Sequence, residues 1–306
     1  MRGGDSFFLC LKADRWGTTP NVKNRTLVAW FVADRRVCPE EQSVPDKRRH
    51  DALTTMSISI IAFVVADLSH EALGHGVAAR VQGAKLIVLS YTYLTSDLQT
   101  RLISSSGPLV NLVEGLFALT ILRRIRMRAT ASFFVFLLTI YNLLDAAAYL
   151  IYSGVLNSGD LGVVIAGLPH IGFIRAGMVV VGLLLYAALT LIGARELRRF
   201  DPVRSSLTTP AYLAAIALNC AAAVGNPLGL KYFLISALPT TAGANAGLLA
   251  MPVLAERQPG RCHEQLRVAR SYPWVVAAVV VASIFIFLIG PAFISSASLS
   301  MRPQPR

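Results

Sequence analysis

The chain has 306 residues, of which 54% are hydrophobic and 15% charged, and its mean hydropathy is +0.56. Several apolar stretches reach the roughly 20 residues needed to span a hydrocarbon core. That excludes an ordinary soluble domain, and the lack of alternating ten-residue patterns excludes an outer-membrane barrel. The net charge of +12 comes mainly from arginines clustered between apolar runs, as in loops held on the cytoplasmic side, and so argues against a nucleic-acid partner.

Residues 1–55 differ from the rest. They mix charge, proline and glycine, and the run Thr26–Ala33 is too short to span a bilayer. No basic start, apolar core and small-residue cleavage site follow one another, so a signal peptide is not expected. This segment is read as a poorly ordered cytoplasmic tail, with Met56 an equally good start of translation. The cysteines (Cys10, Cys38, Cys220 and Cys262) are scattered and imply neither a disulfide framework nor a thiolate metal site.

From Met56 onward the pattern predicts seven spans, at about 57–81, 104–122, 131–152, 171–193, 207–225, 230–253 and 273–294. Asn219, Asn226, Pro227 and Pro239 interrupt the fifth and sixth, which read either as two spans or as a pair of broken helices. Basic clusters stand before span one (Lys47–Arg49) and after spans two, four and six. An inside N-terminus with seven crossings places all of them in the cytoplasm. The expected fold is an all-α polytopic membrane protein of about seven transmembrane helices, with a short β-prone segment between the first and second. The simple loops fit a bacterial inner membrane. Residues 56–165 are read as a core of three helices and 166–306 as additional C-terminal helices.

The first span carries Asp67, His70, Glu71 and His75 within nine residues. A charged side chain at the bilayer centre costs about 2.5–3.5 kcal/mol on insertion scales, so such a cluster marks a functional site by default. Two imidazoles beside a glutamate suit zinc hydrolysis: the histidines bind the metal and the glutamate takes a proton from water. The usual helical pattern puts the histidines at i and i+4. Here they stand at i and i+5, about 140° apart on a regular helix. A π-bulge would realign them, and Gly74 and Gly76 favour local distortion. Without one, Asp67, Glu71 and His75 share a face, and a site using Glu71 and His75 would leave His70 out.

A third ligand must come from further along. Asp145 lies inside span three, and Asp160 follows it in a glycine- and serine-rich turn at the level of His75. His170 is a further candidate, although a lone loop histidine is more often structural. Gly107-Pro108 after three serines reads as the start of span two, which leaves Asn111 and Glu114 unexplained inside an apolar helix. Asn111 is a candidate for positioning substrate or a metal ligand, and Asn142, at similar depth in span three, is a second candidate for positioning substrate. Lys85–Tyr93 is β-prone, either a strand that pairs with another chain or a small hairpin closing the loop.

These elements, His70-Glu71 with Gly74-His75, Gly83, Gly107-Pro108 with Asn111, and Asn142-Leu143-Leu144-Asp145, resemble the site-2 protease family of intramembrane zinc metalloproteases. The likeness covers about residues 57–165. It implies that His70, His75 and a later aspartate hold Zn2+ and that Glu71 is the general base. It further implies that the substrate is a transmembrane or membrane-proximal protein segment cut in the bilayer. Asp160 is preferred over Asp145 as the third ligand. Two features depart from the family pattern: the extra residue before His75, and Ala146 rather than glycine after Asp145. The competing expectations are a membrane transporter using the same polar level for ions or protons, and a non-catalytic protease relative.

Overall fold

The computed structural model describes residues 50–200, 204–226, 233–257, 266–291 and 293–294. The expected tail lies outside these residues up to position 49. Among the described residues, six helices are long and apolar enough to cross a membrane: α1 (Ala52–Val81), α2 (Arg101–Arg124), α3 (Ala129–Leu156), α5 (Ile171–Leu197), α6 (Ser205–Val224) and α8 (Tyr272–Ile289). Two shorter helices are α4 (Gly159–Ile165) and α7 (Gly247–Glu256).

The helix count departs from seven at the sixth expected span. There the chain forms two π-helical turns, Phe233–Ala237 and Pro239–Gly243, before α7. Neighbours occupy the backbone groups that the break frees. The Tyr186 hydroxyl donates to the Ala244 carbonyl (2.9 Å) and accepts from the Gly247 N–H (2.8 Å). The Tyr212 hydroxyl donates to the Ala242 carbonyl (3.0 Å), and the Asn219 amide bonds Ala237 and Thr241. An interrupted helix is tolerated in an apolar setting on that condition. The fifth span, by contrast, is continuous despite Pro210.

Helix α1 begins at Ala52, with Asp51 as its N-cap, so Met56 falls within its first turns. The helix packs against α3, α6 and α8, and is the most enclosed of the six. Phe63 meets Tyr141 edge-on (5.7 Å) and Phe285 (6.4 Å). Helices α5 and α8 lie at the periphery with mostly exposed apolar side chains, as lipid-facing helices would.

One end of the bundle collects the basic segments. Arg123 of α2 donates to Glu196 of α5 (2.7 Å), which also meets Arg199 (2.9 Å). The Leu266 N–H donates to Arg199 (2.8 Å), and Arg270 reaches Asp51 (2.7 Å). The start of α1, the ends of α2 and α5 and the approach to α8 therefore share one end.

After α1, Gly83 takes a left-handed conformation (φ 78°) and turns the chain into β1 (Leu86–Leu89). Strand β1 pairs antiparallel with β2 (Leu94–Ser96), Leu89 opposite Leu94 and Leu86 opposite Ser96. On its other side β1 pairs with β3 (Phe293–Ile294), Leu89 opposite Phe293. The β-prone segment is thus a hairpin joined by a strand from the far end of the chain.

Candidate metal centre

Within α1, residues Ser69–Gly76 are π-helical. A π-turn closes i to i+5 hydrogen bonds, so residues five apart line up. His70 and His75 consequently face the same way, with ring centroids 4.9 Å apart. The wider turn suits its surroundings. Gly74 packs against α2 so closely that a Cβ there would lie 2.6 Å from the Gly107 Cα. A Cβ on Gly107 would in turn lie 2.5 Å and 2.6 Å from the Nε2 atoms of His75 and His70. Only glycine lets the α2 backbone lie against both imidazoles.

Gly107-Pro108 therefore does not begin α2 as expected. The helix begins at Arg101, where the Thr100 side chain accepts from the Ile103 N–H (3.2 Å), and the pair sits two turns further in. Its purpose is close approach rather than capping.

Asp160 arrives from α4. Asn157 (φ 51°) and Gly159 (φ 74°) are both left-handed and fold the chain sharply back after α3. That puts Asp160 in the first turn of α4, and Arg101 fixes the far end by donating to the Ala166 carbonyl (2.8 Å).

Three atoms then form a nearly equilateral triangle. His70 Nε2 to Asp160 Oδ2 is 3.2 Å, His75 Nε2 to the same oxygen 3.3 Å, and the two nitrogens are 3.2 Å apart. In a tetrahedron the ligand–ligand edge is about 1.63 times the metal–ligand distance, so these edges correspond to about 2.0 Å, the zinc distance for nitrogen and carboxylate ligands. His75 Nδ1–H donates to the Ile103 carbonyl (2.7 Å), which leaves the Nε2 lone pair for the shared point.

Glu71 is 3% exposed and places a carboxylate oxygen within 4.8 Å of both ligand nitrogens. The Leu94 backbone N–H of β2 binds it, while Oε2 is buried without a hydrogen-bond partner. The adjoining cavity of about 40 Å³ is lined by Asp67, His70, Glu71, Asn111, Asp145 and Asn245, among others.

Asp145 stands on the other side of His70. Its Oδ2 lies 3.9 Å from His70 Nδ1 and accepts from Asn111 Nδ2 (2.6 Å). Asp145 and Asn111 thus lie behind His70, whereas Asp160 sits between the two imidazoles. Asn142 is fully buried, donates to the Leu138 carbonyl (2.9 Å) and also reaches Glu114, which bonds Ser69 as well. It braces α3 against α1 and α2 and does not line the cavity. His170 is exposed at the N-cap of α5.

Sequence reasoning missed three contributors. Gly107 was read as a helix start. Tyr149, one turn beyond Asp145, stacks on His70 with centroids 5.0 Å apart. Asn245 reaches the cavity from the broken segment, and the only hint in the sequence is an asparagine beside an interrupted apolar run.

A comparison with known proteins finds no matching family model, no similar curated protein and no similar solved structure. The molecule is thus defined by its own features: a helical bundle with spans of membrane length and a buried pair of imidazoles with two carboxylates at one end.

Proposed function

We propose that the protein is a divergent intramembrane zinc metalloprotease, hydrolysing a peptide bond in or near a transmembrane segment of its substrate. The observation that carries this reading is the triangle of His70 Nε2, His75 Nε2 and Asp160 Oδ2 with 3.2–3.3 Å edges. Two imidazoles and a carboxylate are a common donor set for catalytic zinc, which uses three protein ligands and keeps one position open.

A zinc ion bound there supplies Lewis acidity, making water acidic enough to lose a proton near neutral pH and polarising the scissile carbonyl. The chain's own residues do the rest. Glu71, with Oε2 unpartnered, accepts the proton from the attacking water and returns it to the leaving amide nitrogen. Asn111 spends its N–H on Asp145 and keeps Oδ1 free to accept from a substrate backbone N–H. Asp145 orients His70 through Nδ1.

Counting the interrupted segment as a crossing gives seven crossings. The basic end of the bundle then faces the cytoplasm, as the bias of arginines favours. The metal centre lies toward the opposite face, and a bacterial inner membrane suits that arrangement.

The test is zinc per chain on detergent-purified protein kept free of chelator. One zinc is expected in the wild type, none in His75→Ala, and one retained in Glu71→Gln, whose activity should fall at least a hundredfold. A wild type without metal would overturn the reading in favour of a transporter or a non-catalytic relative.

A further inference from the structure

The cavity beside the metal centre has an unbalanced lining. Four of the residues that line it each carry a buried oxygen without a hydrogen-bond partner: Asp67 Oδ2, Glu71 Oε2, Asn111 Oδ1 and Asn245 Oδ1. Asn111 Nδ2 donates to Asp145 Oδ2 (2.6 Å), and Asn245 Nδ2 donates to the Thr241 carbonyl (3.0 Å), a strict acceptor that fixes the orientation of this second amide. Their remaining amide oxygens can only accept. Glu71, Asn111 and Asn245 are each at most 3% exposed. Against these acceptors stands one unpartnered nitrogen, His70 Nδ1, and it faces Asp145.

Buried acceptors left empty are costly, and three carboxylates (Asp67, Glu71 and Asp145) around one small cavity multiply that cost. The missing complement is a group that donates several hydrogen bonds and carries positive charge. Size limits it further: about 40 Å³ exceeds the roughly 10–15 Å³ that one water requires, but it is too little for a bulky ring. A primary ammonium offers three donors on a compact cation.

A second cavity, of about 20 Å³, has Asp145, Tyr149 and Thr240 in common with the first and lies between α3 and the interrupted segment, lined also by Tyr152, Pro239 and Ala244. A flexible apolar chain ending in an ammonium fits this shape, and a lysine side chain has that form.

We propose that this cavity is a subsite for a primary ammonium group, with Asp67 and Asn245 as its recognition residues, so that the substrate carries a lysine beside the bond that is cut. The substrate assignment rests on the protease reading, whereas the binding of an ammonium group does not.

The first measurement is the thermal stability of zinc-loaded full-length protein in detergent, titrated with n-butylammonium, n-butanol or tetramethylammonium. A saturable rise with n-butylammonium alone is expected, because butanol lacks the charge and tetramethylammonium lacks N–H donors. Asp67→Asn and, independently, Asn245→Leu should each raise the concentration required by about tenfold, the scale of one hydrogen bond to a charged group. Far-UV circular dichroism and a single cooperative thermal transition serve as the check that each variant is folded. Equal responses to butanol and butylammonium, or responses unchanged in both variants, would overturn the subsite.

The second measurement compares hydrolysis of membrane-segment peptides carrying lysine or norleucine beside the cleaved bond. About a tenfold preference for lysine is expected, and Asp67→Asn should abolish it. If ammonium binds through Asp67 but no peptide is cut, the protease reading fails and the cation site stands. If peptides are cut without a lysine preference, the subsite fails and the protease reading stands.

Discussion

The two parts of α1 handle buried polar groups in opposite ways. In its first part, Ala52–Ala66, each serine and threonine has a hydrogen-bond partner. Thr54 donates to Asp51 through both N–H (2.8 Å) and hydroxyl (2.7 Å), Thr55 donates to the Asp51 carbonyl (2.8 Å), and Ser57 donates to Leu53 (2.8 Å). Ser59 donates to the Ala211 carbonyl (2.6 Å) while sharing Tyr141. From Asp67 to Gly76, by contrast, Asp67 Oδ2, His70 Nδ1 and Glu71 Oε2 are buried without a hydrogen-bond partner. Burial of polar groups alone therefore says little about function. Buried polar atoms left unsatisfied on one shared wall say much more, because each costs about 1–3 kcal/mol unless something else occupies it.

The sharpest way to break this contrast is Gly107→Ala. The new Cβ would fall 2.5–2.6 Å from the Nε2 atoms of both His75 and His70, so that the imidazoles or α2 must move apart. Zinc should drop below a tenth of a site per chain, measured by elemental analysis, while far-UV circular dichroism confirms that the helices remain. Zinc held at one per chain would show that the two imidazoles do not meet at the proposed point.

A smaller loss is expected from Asp145→Ala, which removes the carboxylate 3.9 Å from His70 Nδ1 and strands the Asn111 amide. Outer partners of metal ligands are typically worth a 10–100-fold change in affinity. Competition with a chelator should therefore show weakened but measurable zinc binding. Complete loss would instead make Asp145 a ligand.

Much of this site was legible in the sequence, because it lies in residue types that do not belong in a bilayer. His70, Glu71, His75 and Asp160 could be singled out, and the i, i+5 spacing left two readings, a π-turn or a regular helix with His70 off the site. What the sequence hid was governed by packing between distant segments. Gly107-Pro108 has the local chemistry of a helix start, and only the approach of α1 shows why glycine is required there. Asn142 and Asn111 look alike as asparagines in apolar helices, yet one braces the bundle and the other lines the cavity. The spans were legible from hydropathy except around Pro239. There a proline can either end a helix or be absorbed into a distorted one, and the tyrosines that decide the outcome, Tyr186 and Tyr212, sit on two other helices.

In the regular part of α1 the effects should fall on stability and leave the metal untouched. Ser59→Ala removes a buried hydroxyl, but Tyr141 still donates to the Ala211 carbonyl (3.3 Å). The cost should be about 1 kcal/mol, read as a lowered Tm in detergent with one zinc still bound. Loss of zinc here would mean that the two parts of α1 are one cooperative site.

The smallest effect belongs to Asp51 at the start of the helix, and it carries a pH signature. Partial burial disfavours its charge, but the Thr54 N–H, the Thr54 hydroxyl and the Arg270 guanidinium outweigh this and hold the carboxyl below its ordinary value of 3.8. A carboxylate depressed on folding adds stability above its unfolded pKa and loses it as pH falls through the folded value. Asp51→Asn keeps a good N-cap and removes only the charge, so the difference should stay under about 1 kcal/mol. The Tm gap between wild type and Asp51→Asn should be constant near neutral pH and close below roughly pH 4. A gap that widened on acidification would mean that the Asp51–Arg270 contact does not hold in the folded protein. Zinc should remain at one per chain in this variant at neutral pH, because nothing at this end of α1 touches the imidazoles.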